Sequence, residues 1–134
     1  MLQTGIRGEK TALVTQHNVA SAVGSGALPV YATPMMIALM EMTAAESVQP
    51  FLEEGQGTVG TLVNVRHVSA TPLGMTVRCE STLTNAEGKR LTFSVAAYDD
   101  AGLIGQGIHE RYVVDGHRFM SQAEKKRAPA NEPQ

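Results

Sequence analysis

The feature that most limits how this chain can fold is the segment Thr33-Pro34-Met35-Met36-Ile37-Ala38-Leu39-Met40-Glu41-Met42-Thr43-Ala44-Ala45-Glu46-Ser47-Val48, apolar almost all round with a carboxylate in its middle. It predicts a helix of about four turns. Thr33 is expected at the N-cap, its hydroxyl accepting from an unpaired N–H of the first turn. Pro34 then takes the first helical position, where its missing N–H costs nothing. The body is Met, Ile, Ala and Leu with no internal Gly or Pro, residues that mostly favour helix. Gln49-Pro50 closes it, because a proline disfavours helical geometry at the residue before it. A helix apolar on every side belongs in an interior, and this one is slightly short for a membrane span of about 20 residues. Glu41 is therefore the anomaly. A buried carboxylate is costly unless paired, and burial raises its pKa; a structural pairing and a functional role both stay open at this point. Glu46, near the helix end, is expected at the surface.

The remaining chain reads mainly as strands. Glu9 to Thr15 carries Ala12, Leu13 and Val14 between polar residues and predicts a first strand. Gln16 to Ala32 is small and irregular, with Gly24-Ser25-Gly26 and Pro29 as breakers, and predicts a mobile loop. After the helix, Phe51 to Gly57 is a polar connection. Strict alternation then puts Val59, Thr61, Val63, Val65 and His67 on one strand face and Asn64 and Arg66 on the other. Ser69 to Gly74 reads as a turn. Met75, Val77, Cys79 and Leu83 mark the next strand, Asn85-Ala86-Glu87-Gly88 a hairpin loop, and Leu91, Phe93, Val95 and Ala97 another strand. Asp99-Asp100-Ala101-Gly102 repeats the loop chemistry before a last strand from Leu103 to about Val114. Three successive hairpin connections predict an antiparallel meander. Its apolar face needs cover, and the long helix supplies it, giving an α+β domain of two layers.

With 134 residues the chain fits one domain, taken as residues 1–116 followed by a polar tail over 117–134. That tail, with Lys125-Lys126-Arg127 and two late prolines, is expected to be frayed or partly disordered. A net charge of −2 gives no reason to propose nucleic acid as a partner. The single cysteine, Cys79, cannot form an internal disulfide, and the first residues show no basic-then-apolar leader; a cytoplasmic protein with no membrane partner is expected. Four His and one Cys without close spacing argue against zinc, and no metal or cofactor is expected.

Strand, helix, then four strands wrapped on that helix resembles the hot-dog fold, and three blocks narrow the resemblance. Tyr31-Ala32-Thr33-Pro34-Met35-Met36 running to Leu39-Met40-Glu41 resembles the helix entry of the fluoroacetyl-CoA thioesterase-like family. Thr58-Val59-Gly60-Thr61-Leu62-Val63-Asn64-Val65-Arg66-His67, with Ala70-Thr71-Pro72-Leu73-Gly74-Met75, resembles its next strand and turn. Gly107-Ile108-His109-Glu110-Arg111-Tyr112 resembles its last strand. The likeness spans roughly residues 9–115. It implies a hot-dog domain that pairs as a homodimer or larger homo-oligomer, with sites between subunits, and that hydrolyses an acyl-CoA to free acid and CoA.

The resemblance also implies a catalytic Thr, Glu and His, at Thr33, Glu41 and His67. Glu41 would serve as general base for water or attack the carbonyl itself to give an anhydride. His67 would orient and polarise, or protonate the departing thiolate. Thr33 would hydrogen-bond the carboxylate or the thioester carbonyl. Thr33 and Glu41 stand about 12 Å apart along the helix axis and are not neighbours within one helix; the dimer that the resemblance implies could bring one subunit's groups to the other's. Gly60 and Arg111 match substrate-binding positions, Gly60 through its backbone N–H. Arg111 would hold Glu110, a substrate group or a CoA phosphate, or make only a structural ion pair. His17 is expected in solvent, His109 as a structural residue, and Cys79 in the core. No Gly-x-Ser-x-Gly elbow is present, which disfavours a serine hydrolase. The family's fluoroacetyl-selective members are associated with bulky aromatics in the loop before the helix, whereas Val23-Gly24-Ser25-Gly26-Ala27-Leu28-Pro29-Val30 has none. A different or broader small acyl group is therefore expected. The competing reading is a non-catalytic acyl-CoA-binding module in which Glu41 is structural.

Overall fold

The computed structural model describes residues 2–127. Strand β1 (Arg7–Leu13) is followed by one helical turn, α1 (Ala20–Val23), and then by the long helix α2 (Thr33–Val48). A short 3-10 turn (Gln49–Phe51) leads into β2 (Gln56–His67), β3 (Thr76–Glu87), β4 (Arg90–Asp99) and β5 (Gly102–Asp115), and α3 (Gly116–Glu124) closes the described chain. The five strands form one antiparallel sheet in the order β1-β3-β4-β5-β2, and α2 packs against all five. This is the α+β hot-dog arrangement expected from the sequence. Among the described residues no helix is long and apolar enough to cross a membrane.

The core lies between α2 and the inner sheet face. Met36, Leu39, Met40, Ala44 and Val48 from the helix meet Val77, Cys79, Leu83, Leu91, Phe93, Val95, Ala97 and Ile104 from the strands, all buried. Period 2 in the strands and a 3–4 residue spacing in the helix put these side chains on facing surfaces. Gly8 marks the closest approach of β1, since a Cβ there would lie 2.7 Å from Ser47 Cβ and 2.8 Å from the Thr43 carbonyl oxygen. The opposite side of α2 is less covered than an all-round apolar helix predicts. Thr33, Pro34 and Met42 are exposed, and Ile37, Ala38, Glu41 and Ala45 only half-buried.

Several expectations need correction. The chain does not run through three hairpins. β2 pairs with β5 at the far edge, and the link from β2 to β3 crosses the end of the sheet. That link is pinned where it crosses, by the Tyr31 N–H to the Thr71 carbonyl at 2.9 Å, the Gly74 N–H to the Val14 carbonyl at 2.9 Å, and the Thr71 hydroxyl to Asp99 at 2.7 Å. The first strand begins two residues earlier than expected and ends at Leu13. The segment before α2 is built rather than loose: α1 ends at Gly24 in the left-handed conformation, φ 84°, and Val19 bridges Tyr31 while Val30 bridges Pro72. The β3–β4 hairpin turns at Gly88-Lys89, with Asn85 and Ala86 already paired in the strand. Where a frayed tail was expected from 117, α3 forms, because Asp115 Oδ1 accepts the Arg118 N–H at 2.9 Å as an N-cap. Residues 128–134 of that tail lie outside the described residues.

Strict alternation also fails in β2. Its register against β5 shifts between Gly60 and Leu62, so that Thr61 is an extra residue, a bulge that reverses which side chains face inward. Val63 still opposes buried His109, but N-terminal to the bulge it is Gly60 that opposes buried Arg111. Val59 instead opposes exposed Tyr112 on the outer face.

Candidate active site

Two groups of polar side chains border the open edge strand β2, both reached from α2. The first sits at the start of the helix. Thr33 is not the N-cap; Ala32 holds that position without any side-chain cap bond. One residue further in, the Thr33 hydroxyl is turned away from the backbone and lies 2.7 Å from His67 Nδ1. The contact lines a cleft of about 290 Å³, whose walls include Ser25, Val30, Tyr31 and Ser69. His67 Nε2 is buried and has no hydrogen-bond partner among the described residues. Desolvation holds the His67 pKa below its usual value, against a smaller opposing pull from the Ser69 backbone, which favours the neutral ring. A neutral ring lets Nδ1 either accept from the Thr33 hydroxyl or donate to it.

The second group is centred on Arg111. Its side chain is 9% exposed, and NH1 lies 3.5 Å from Glu41 Oε2. The Arg111 Nε–H donates to Thr58 Oγ1 at 2.7 Å and NH2 donates to the Thr58 carbonyl at 3.0 Å. His109 Nε2 stands 3.1 Å from NH1. Arg111 does not hold Glu110, which faces outward opposite Thr92 and Leu62, and its donors turn inward to Thr58, His109 and Glu41. Gly60 completes the group. A Cβ on it would lie 2.5 Å from Glu41 Oε2 and 3.3 Å from Arg111 NH1, so the missing side chain lets the carboxylate rest against the strand. Glu41 itself is less buried than expected, its side chain keeping 40% exposure because it lies on the open side of α2.

All five sequence-predicted residues thus touch a predicted neighbour, but as two groups rather than one constellation. Thr33 meets His67, and Glu41 meets Arg111 beside Gly60. Among the described residues no hydrogen bond joins Glu41 to Thr33 or His67 within the protomer. His17 is exposed and Cys79 fully buried, as expected. Among the described residues no three His, Cys, Asp or Glu side chains converge as a metal site requires.

Residues 14–117 match the fluoroacetyl-CoA-specific thioesterase family, FlK. The chain belongs to that family. Over 97 residues, 72% of this chain and 70% of the relative, it is 40% identical to the fluoroacetyl-CoA thioesterase of Streptantibioticus cattleyicolor. A solved structure of the fluoroacetyl-CoA thioesterase FlK superposes with a TM-score of 0.88 at 33% identity, covering 94% of this chain and 98% of that one. A thioesterase superfamily member from Thermus thermophilus superposes at 0.87 with 30% identity, covering 98% of each chain.

Within this FlK-family fold, two residues near the carboxylate escaped the sequence reading. Thr58 was hidden by the bulge, which reverses its apparent face. His109 was read as structural, yet its spacing of two from Arg111 puts both side chains on one face of β5. That spacing was visible.

Proposed function

We propose that this member of the family hydrolyses a small acyl-CoA thioester to the free acid and CoA, with Glu41, His67 and Thr33 as its catalytic groups. Thioester hydrolysis is the activity that the names of its family and relatives carry. The single observation that carries the site assignment is the placement of Glu41: a carboxylate next to a buried guanidinium at 3.5 Å, yet 40% exposed. Such a group is paired with a cation and still reaches a substrate. Glu41 takes a proton from water as the oxygen attacks the thioester carbonyl, or attacks that carbon itself; collapse of the tetrahedral centre expels CoA thiolate, and on the second route water then hydrolyses the mixed anhydride to release the acid and restore the Glu41 carboxylate. Thr33 and His67 then bind the carbonyl side. Arg111 and Gly60 support Glu41 from below.

We infer a homodimer, because one protomer leaves the two pairs about 12 Å apart along α2. Half-buried Ile37 and Ala38 lie between them with exposed Met42 just beyond, and β2 beside this strip is an edge strand with one side unpaired. Inner-face Val63 also keeps 37% exposure. A second copy against that edge would cover the strip and set Glu41 of one protomer facing the Thr33–His67 pair of its partner. The segment before α2 supports a different or broader acyl group than fluoroacetyl, since Val23 and Leu28 are exposed and, among the described residues, Tyr31 is the only aromatic that lines the cleft. A lone buried cysteine suits a reducing compartment, and we place the enzyme in the cytoplasm on that ground.

The test is release of free thiol from a panel of acyl-CoA esters, short to long and including fluoroacetyl-CoA. Turnover of one or a few esters that disappears in Glu41→Ala is the expected result. No release from any ester by folded protein that still binds them would replace the enzyme with a binding module.

A further inference from the structure

His109 is the most deeply buried titratable side chain near the site, 0% exposed, and the catalytic scheme above leaves it idle. Its two ring nitrogens have partners that settle its protonation. Nδ1 lies 2.8 Å from the carbonyl oxygen of Leu62, a group that can only accept, so Nδ1 carries the hydrogen. Nε2 lies 3.1 Å from Arg111 NH1, a group that can only donate, so Nε2 presents its lone pair. Both contacts are satisfied by one species alone, the neutral Nδ1–H tautomer. An imidazolium would lose the Arg111 contact and set two cations side by side. Burial, the largest influence on this ring, lowers its pKa; the Leu62 backbone opposes it less strongly, and the Arg111 charge lowers the pKa further against smaller raising effects of Glu41 and Glu110. The bulge at Thr61 is part of the device, because Leu62 is the first residue past it. Phe93 backs the ring, with centroids 6.2 Å apart and planes at 30°.

We propose that His109 is a positioning residue, a neutral acceptor that holds the Arg111 guanidinium in place beneath Glu41; the inference rests on the role given to Glu41 above. The guanidinium is held at 2.7, 3.0 and 3.1 Å by Thr58 Oγ1, the Thr58 carbonyl and His109 Nε2, all uncharged, while Glu41 is its longest contact at 3.5 Å. An ion pair built for stability closes to about 2.8 Å, usually with both oxygens engaged. Here the position of the cation is fixed by neutral groups, while Glu41 offsets part of the cost of burying its charge. Glu41 therefore feels a fixed positive charge while its oxygens stay available to water or to a carbonyl carbon.

The test compares two amides at position 109. In His109→Gln the side-chain oxygen reaches the place of Nε2 and accepts from Arg111. In His109→Asn the shorter amide serves Leu62 and leaves Arg111 NH1 without that acceptor. Thiol release is expected to fall on the order of 100-fold in kcat for Asn, with KM moved far less and with Gln recovering most of the loss. Asn at wild-type kcat, in a protein whose Glu41→Gln variant is inactive, overturns the positioning role alone. Wild-type turnover in Glu41→Gln instead overturns the site reading beneath it. Nitrogen-15 NMR of wild-type imidazoles at pH 7 gives a readout independent of turnover. A neutral Nδ1–H pattern for His109 is expected, and an Nε2–H or imidazolium pattern overturns the proposal.

Discussion

Gly60 and Glu41 are in direct contact across the layers of the fold: a Cβ on Gly60 would stand 2.5 Å from Glu41 Oε2. A helix residue and an edge-strand residue approach this closely because the bulge at Thr61 turns Gly60 inward, opposite Arg111. The carboxylate is thus seated on strand backbone with the guanidinium beside it, while its other side stays open.

Gly60→Ala tests that seat. Gly60 has no positive φ, so alanine brings no backbone strain, and the atom it displaces is the tip of a half-exposed side chain. Thermal stability is expected to stay within about 1 kcal/mol, while turnover drops on the order of tenfold or more as the carboxylate shifts. Kinetics and a melting curve on the same preparation separate the two. Unchanged turnover would show that the seat of Glu41 is unimportant.

Arg111→Lys is expected to be both destabilising and inactivating. A lysine keeps the charge but lacks the planar fork that serves Thr58, His109 and Glu41 together. The orphaned buried acceptors cost about 1–3 kcal/mol, measurable by urea denaturation. The Glu41 contact adds little to that figure, because the carboxylate is partly solvated.

Stability is expected to fall as pH drops below about 6.5. His67 and His109 both have lowered pKa values in the folded state, desolvation being the main cause for each. Between the folded and unfolded values the unfolded chain binds more protons, so lowering the pH favours unfolding. The contribution is fully present above the unfolded value and gone below the folded ones. Asp99 and Asp115, lowered chiefly by the Thr71 hydroxyl and the Arg118 N–H, act only below about pH 4. Unfolding titrations of wild type and His67→Gln check the sign: the variant should lose part of the slope near pH 6.

Cys79 is expected to be inert in the folded protein. It is fully buried, and desolvation pushes its thiol pKa up, which starves it of reactive thiolate. A thiol reagent should detect one cysteine per chain only after denaturation. Rapid labelling of the native protein would contradict the packing of β3 against α2.

The route from chain to fold was legible wherever a local pattern had one physical meaning. The apolar segment closed by Gln49-Pro50 ends its α-helix at Val48, and Leu91, Phe93, Val95 and Ala97 all face the core. Pairing order was hidden, because β2 could join either neighbour in sequence or the far edge, and only the pinned crossing at Thr71 selects the latter. The N-cap expectation for Thr33 failed for a related reason: a local rule saw free N–H groups, while His67, distant in sequence, offered the hydroxyl a closer partner.

The same division runs through the site. Residue types, the helix that carries Thr33 and Glu41, and the strands that carry His67 and Arg111 follow from the amino-acid sequence alone, since propensity, alternation and motif likeness are properties of neighbours along the chain. The tertiary structure alone decided that Gly60 rather than Val59 faces inward, that Arg111 turns to Glu41 rather than Glu110, and that His109 supports the guanidinium. Those outcomes rest on one extra residue in β2 and on contacts between side chains from α2, β2 and β5. No local pattern encodes them, because a bulge shifts every face after it by one residue and the energy of each contact depends on which strand lies alongside.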